Sequence, residues 1–152
     1  MSATAASIRT RPFVAADRAA WDVMWVAYLA FYETSLPPET SEDTWARFLG
    51  PAPNHIGLIA ESAGEVLGFA HALLHAGTWN PKPVCYLEDL YVNEAARGRG
   101  AGRALIEALA DRGRAEGWLR LYWQTDAANT TARALYDKLG EAKNWVRYDL
   151  DL

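Results

Sequence analysis

Three glycines within seven residues, Arg97-Gly98-Arg99-Gly100-Ala101-Gly102-Arg103, constrain this chain more than any other stretch. Before them lie the apolar residues Val84-Cys85-Tyr86-Leu87, the acids Glu88-Asp89, and then Leu90-Tyr91-Val92. After them, Ala104-Leu105-Ile106-Glu107-Ala108-Leu109 repeats apolar side chains at helical spacing. The glycines therefore join a strand to the start of a helix. They let the backbone bend tightly and bring bare N–H groups close to a guest. The unpaired N–H donors and partial positive charge of a helix N-terminus favour an anion there. Arg97, Arg99 and Arg103 add cations at the rim, and a pyrophosphate is the natural guest. The spacing Gly98-x-Gly100-x-Gly102 is not the G-x-G-x-x-G of a dinucleotide-binding turn, and no Gly-Lys-Ser/Thr follows as in a P-loop. Dehydrogenase and kinase-like readings fail on that spacing.

The 152 residues predict one domain, 1–152, large enough to bury a real core. No apolar run approaches the ~20 residues that span a bilayer, so no membrane partner is expected. The start, Met1-Ser2-Ala3-Thr4-Ala5-Ala6, lacks a basic stretch followed by an apolar core, so no signal peptide is expected either. The single cysteine, Cys85, excludes an internal disulfide framework and fits a reducing cytoplasm. A net charge of −4 argues against nucleic acid as a partner. Residues 1–80 hold four Lys and Arg against eight Asp and Glu, whereas the remainder holds eleven of each. The acidic first half favours a cationic small molecule over an anionic one.

In chain order, Ser7 to Arg11 reads as a first strand stopped by Pro12. Asp17 is placed to cap a helix running to about Tyr32. Trp21, Trp25, Tyr28 and Tyr32 form one stripe of that helix, an aromatic core against a sheet. Its last turn, Phe31-Tyr32-Glu33, is a candidate lining of a substrate mouth. A second helix opens at Ser41-Glu42-Asp43. Two strands, His55 to Glu61 and Val66 to His75, turn through Ser62-Ala63-Gly64-Glu65. His71 and His75 are four residues apart on one strand, a span of about 13 Å, too wide for one ion, and no metal is expected. Val84 to Asn93 is the central strand, a helix follows the glycine loop to about Glu116, and Trp118 to Thr125 alternates as a strand. The next helix ends at Gly140, and Trp145 to Leu152 alternates as a final strand. The order β-α-α-β-β-β-α-β-α-β(-β) predicts an α/β (α+β) fold, a mixed twisted sheet with helices on both faces.

Arg-x-x-Gly-x-Gly after an acidic strand resembles the first signature motif of the GNAT superfamily of N-acetyltransferases. Asn129-Thr130-Thr131-Ala132-Arg133-Ala134-Leu135-Tyr136 resembles the second. The two matches span residues 84–140 in the expected order. The resemblance implies a GNAT-like sheet of about six to seven strands flanked by about four helices. It also implies acetyl-CoA as co-substrate, its pyrophosphate held by Arg97, Gly98, Arg99, Gly100, Ala101, Gly102 and Arg103. By the same resemblance the strand around Leu87–Val92 splays from its neighbour, so the backbone of Leu90, Tyr91 and Val92 holds pantetheine and an N–H near Leu90 stabilises the oxyanion. Asn129 reaches the pantetheine arm, and Tyr136 protonates the departing thiolate. Tyr86-Leu87-Glu88-Asp89-Leu90-Tyr91-Val92 resembles the diamine and polyamine branch, where the glutamate is the base. Pairing through the C-terminal strands, as a homodimer, is implied by resemblance alone. Ala101 stands where a larger aliphatic residue is common, and Glu141-Ala142-Lys143-Asn144-Trp145 lacks the usual Gly-Phe, so the last strands are open to rearrangement.

Acetyl transfer needs an unprotonated amine, and Glu88 is the candidate base, directly or through a water. Two residues before Leu90, it shares that residue's face in a regular strand, while Asp89 points the other way unless a bulge intervenes. Adjacent carboxylates raise each other's pKa, which suits a base. The bland alternative is that both acids bind the acceptor's charge or pair with arginines. Tyr136, seven residues after Asn129, lies on the same helical face, and a phenol is a reasonable proton donor to a thiolate. The expected reaction is acetyl transfer to the primary amine of a small molecule, a polyamine, diamine or amino acid, by direct attack. Glu88, Asp89, Tyr32 and Glu33 are the candidate acceptor contacts. The alternatives are acetylation of a protein N-terminus or lysine, and a non-catalytic CoA sensor.

Overall fold

The computed structural model describes residues 6–152. Arg9–Pro12 forms β1, and a 3-10 turn at Ala15–Asp17 leads into α1, Arg18–Phe31, followed by α2, Pro38–Leu49. His55–Ser62, Glu65–His75 and Val84–Val92 are β2, β3 and β4. A second 3-10 turn, Glu94–Ala96, enters the glycine loop, and α3 spans Ala101–Glu116. Arg120–Tyr122 is β5 and Thr130–Leu139 is α4. The sheet runs β1-β2-β3-β4-β5. Its first four strands are antiparallel, and β5 joins β4 in parallel. This is the mixed α/β architecture that the sequence predicts, with five strands among the described residues.

Side-chain alternation divides two cores across the sheet. On one face Ile56, Leu58 and Ala60 of β2 and Cys85 and Leu87 of β4 pack with Leu105, Ile106 and Leu109 of α3. On the other, Ile59 and Phe69 pack with Trp21, Met24 and Trp25 of α1 and Trp45 of α2. The aromatic stripe of α1 is continuous: Trp21 stacks on Trp25 at 5.4 Å, Trp25 on Tyr28 at 5.5 Å, and Tyr28 meets Tyr32 edge-on at 5.1 Å. It runs from full burial at Trp21 to 55% exposure at Tyr32, and so carries the core out to the surface beside the site.

Two expectations are corrected. The strand expected from Trp118 to Thr125 is confined to Arg120–Tyr122. The final strand expected from Trp145 to Leu152 does not form, and Trp145, Tyr148 and Leu150 are exposed. Alternation marks a segment that can become a strand, but a strand also needs an edge to pair with. Three-residue β5 offers little.

At the other end of the sheet, Arg11 clamps the start of α1. Its Nη1 and Nη2 donate to Asp17 Oδ2 and Oδ1 at 2.8 and 2.9 Å, and its Nε donates to Glu61 Oε2 at 2.9 Å. Asp17 also accepts the Val14 N–H at 2.8 Å and is buried. The hydrogen bonds from Arg11 hold the Asp17 carboxyl below its usual range. A depressed folded-state pKa contributes stability above the ordinary carboxylate range, and this is lost as pH falls through the folded value. Replacing Asp17 by Asn leaves Arg11 half-paired and should cost about 3 kcal/mol at neutral pH in urea unfolding. The same variant should lose less stability than the parent on acidification.

Candidate active site

The central strand is paired fully on one side only. β4 pairs with β3 from Val84 to Val92, but with β5 only through Val84, Cys85 and Tyr86. From Leu87 onward the β5-facing edge of β4 has no strand partner among the described residues, which leaves a wedge lined by the backbone of Leu90, Tyr91 and Val92. Backbone groups on such an edge accept an extended amide-bearing ligand as an added strand would.

The glycine loop lies at the open end of this wedge. Gly98 and Gly100 adopt φ of +79° and +93°, left-handed values that favour glycine, and Gly100 is the N-cap of α3. No side chain caps α3 and no acid occupies its first turn, so its N–H groups are offered to an anion. Arg103 is paired with Glu107 at 2.7 Å, and Arg99 lies 3.8 Å from Glu65. Ala101 is the first residue of α3 and is buried in the core. Gly100→Ala forces a side chain into the left-handed region at a cost of about 1–2 kcal/mol. It should weaken CoA binding in calorimetry more than Gly102→Ala, whose added Cβ meets nothing nearer than 3.6 Å.

The two acids sit at a register shift. His71 pairs with Asp89, yet Ala72 pairs with Leu87, so Glu88 is an extra residue in β4. This bulge corrects the regular-strand expectation. Leu87 and Leu90 both pack toward α3, while Asp89 meets His71 on the α1 face. Glu88 therefore does not share the face of Leu90, and Asp89 is turned toward the aromatic helix. Partial desolvation, and then the charge of Asp89, raises the Glu88 pKa; Arg147, from the C-terminal segment, opposes this. Asp89 Oδ2 accepts from His71 Nδ1 at 2.8 Å.

Tyr136 is half-buried on α4, edge-on to Trp123 at 5.5 Å. Burial, and then Tyr32, raises its pKa, so the phenol keeps its proton at neutral pH. Asn129 is the N-cap of α4: Oδ1 accepts from Ala132 N, and Nδ2 donates to Thr125 Oγ1, both at 3.3 Å. Phe31 and Tyr32 line a cavity of about 330 Å³ with Asp126, Ala128 and Asn129. The end of α1 thus meets the start of α4. Glu33, at the terminus of α1, has φ of +54°. In the sequence alone His71 stands out only as a metal ligand to be considered, and Tyr28 only as core. Burial, and then the charge of Asp89, pushes the Tyr28 phenol up. The one signal for both was the aromatic stripe on α1 facing an alternating strand.

Comparison with known proteins agrees with this geometry. Residues 19–140 match the Acetyltransferase (GNAT) family. A D-amino-acid N-acetyltransferase of Saccharomyces cerevisiae is 40% identical over 87% of this chain and 83% of its own. An aminoglycoside N(6')-acetyltransferase type 1 of Serratia marcescens is 30% identical over 77% of this chain and 84% of its own. The crystal structure of an aminoglycoside acetyltransferase from an uncultured soil metagenomic sample superposes with a TM-score of 0.77 at 26% identity, covering 96% of this chain and 99% of that one. With a splayed central strand, a glycine loop at a helix N-terminus and these relatives, the chain belongs to the GNAT family and is an acetyl-CoA-dependent N-acetyltransferase.

Proposed function

We propose that the chain, as one catalytic domain, acetylates the primary amine of a small cationic molecule, with amino acids, diamines and polyamines as the acceptor classes. The observation that carries this reading is the bulge at Glu88, which sets two adjacent carboxylates beside the unpaired edge of β4. The names of the relatives, which act on D-amino acids and aminoglycosides, support a small amine. Acetyl-CoA lies along Leu90, Tyr91 and Val92, with its pyrophosphate on the loop from Arg97 to Arg103 and its pantetheine near Asn129. Glu88 takes a proton from the ammonium group. The free amine attacks the thioester carbonyl, and an N–H near Leu90 stabilises the oxyanion. The C–S bond breaks and Tyr136 protonates the thiolate. Tyr32 and Glu33 border the acceptor's entrance.

Thiol release measured with acetyl-CoA across amino acids of both configurations, diamines, polyamines, aminoglycosides and peptides tests the reading. Turnover is expected with one small-amine class, and turnover confined to peptides would overturn it. Tyr136→Phe should lower kcat by about a hundredfold or more with the acetyl-CoA Kd unchanged.

Glu88 acts when deprotonated, so kcat/KM for the acceptor should rise with pH through a pKa above the ordinary glutamate value. Glu88→Gln should abolish that limb. Arg147→Ala, which removes the opposing cation, should move it to higher pH.

The exposed apolar side chains of Trp145, Val146, Tyr148 and Leu150 suit contact with a second copy of the chain, as a homodimer. Sedimentation should then show a dimer for the parent and a monomer for the Trp145→Asp, Tyr148→Asp double variant.

A further inference from the structure

Behind Asp89 lies a one-way chain of hydrogen bonds that the reaction, as described, does not use. An indole N–H can only donate, and that of Trp21 lies 3.0 Å from His71 Nε2. His71 Nε2 therefore carries no proton. The single proton of the neutral ring sits on Nδ1 and is donated to Asp89 Oδ2 at 2.8 Å. The imidazole is fully buried. It stacks on Phe48 of α2 at 4.2 Å, lies 4.8 Å from Phe69 of β3 and 5.4 Å from Trp25 of α1, and has Phe13 edge-on at 5.7 Å. Asp89 is the charged group bonded to the imidazole, and the rings packed around it are all aromatic hydrocarbons or indoles. Burial favours the neutral ring, in keeping with the tautomer that the two hydrogen bonds require.

The chain ends at an accessible carboxylate. The side chain of Asp89 keeps 13% of its surface exposed, beside the bulged Glu88 and on the sheet face that carries the aromatic residues of α1. A carboxylate bordered by aromatic rings is suited to an alkylammonium group, by charge and by cation–π contact. Resting on the amine-acetylation reading, we propose that His71, locked by Trp21, is a positioning residue that fixes Asp89 as the anchor for the acceptor's ammonium group. Asp89 and Glu88 then divide the work. Asp89 holds the arriving R–NH3+, and Glu88 removes one proton to give R–NH2 and a neutral carboxyl. The amine adds to the thioester carbonyl to form the C–N bond. As the tetrahedral intermediate collapses the C–S bond breaks, Tyr136 gives its proton to the thiolate, and the nitrogen's second proton passes to the phenolate so formed. The two acids are not interchangeable: the rear of Asp89 is tied to a rigid buried ring, whereas Glu88 faces solvent and takes no such bond.

The test combines kinetics with nitrogen NMR of the histidine-labelled full chain. His71→Leu removes the donor, and His71→Asn keeps an N–H close to the position of Nδ1. For whichever amine the parent acetylates, His71→Leu should raise the acceptor KM by about tenfold or more while the acetyl-CoA KM stays unchanged. His71→Asn should recover most of that loss, which a merely space-filling role would not give. In the parent, NMR should show His71 protonated on Nδ1 and unprotonated on Nε2 across about pH 5 to 8. Trp21→Phe should release that lock, so NMR should find the Nε2-protonated tautomer populated beside the Nδ1 form and the acceptor KM should rise. If His71→Leu fails to fold, the parent's tautomer and the Asn variant still decide. A parental Nε2-protonated ring, or an unchanged acceptor KM in a folded His71→Leu protein, overturns the assignment and leaves the amine reading standing. A parent that acetylates no amine overturns that reading, and this proposal falls with it.

Discussion

Parallel pairing between β4 and β5 stops after Tyr86, and the site depends on that stop. If β5 followed β4 to Val92, the backbone of Leu90, Tyr91 and Val92 would be spent on the sheet and no extended ligand could enter. The divergence leaves polar backbone unpaired at the centre of the fold, which is costly unless water or a ligand satisfies it. The glycine loop lies where a ligand running along that edge would leave the strand, and α3 presents its open N-terminus there. Strand edge, loop and helix terminus thus form one continuous track.

The same strand has a second irregularity with a different consequence. The extra residue at Glu88 rotates the strand, so that Leu87 and Leu90 return to the α3 side while Asp89 turns toward α1. The unpaired edge and the acidic face are thereby set within a few residues of each other but aimed differently. Support for the acidic face comes from far away in sequence: Trp21, 50 residues from His71, and His71, 18 residues from Asp89. The aromatic cluster between α1 and the sheet serves both as core and as the rigid backing of one carboxylate.

What could be read in the sequence was local. Glycines next to arginines, a helical repeat after them, and an asparagine at the start of the next helix are patterns written in neighbouring residues, and all are found where they were expected. The bulge could not be read that way, because no glycine marks it and it exists only through the pairing of β4 with β3. His71 on its own looked like a metal ligand to be dismissed; its partners are defined by the packing of α1 over the sheet. The C-terminal segment shows the opposite error. Its alternation from Trp145 onward is genuine, but alternation is a property of one segment and pairing is a property of two.

The proposed reaction requires acetyl-CoA to occupy the unpaired edge of β4 and the adjoining loop. Hydrogen exchange of backbone amides, followed with and without acetyl-CoA, tests it directly. Binding should slow exchange within Leu90–Val92 and from Gly98 to Arg103, and leave β1 and β2 unchanged. Binding that protects neither segment, or protects the outer strands instead, would contradict the account.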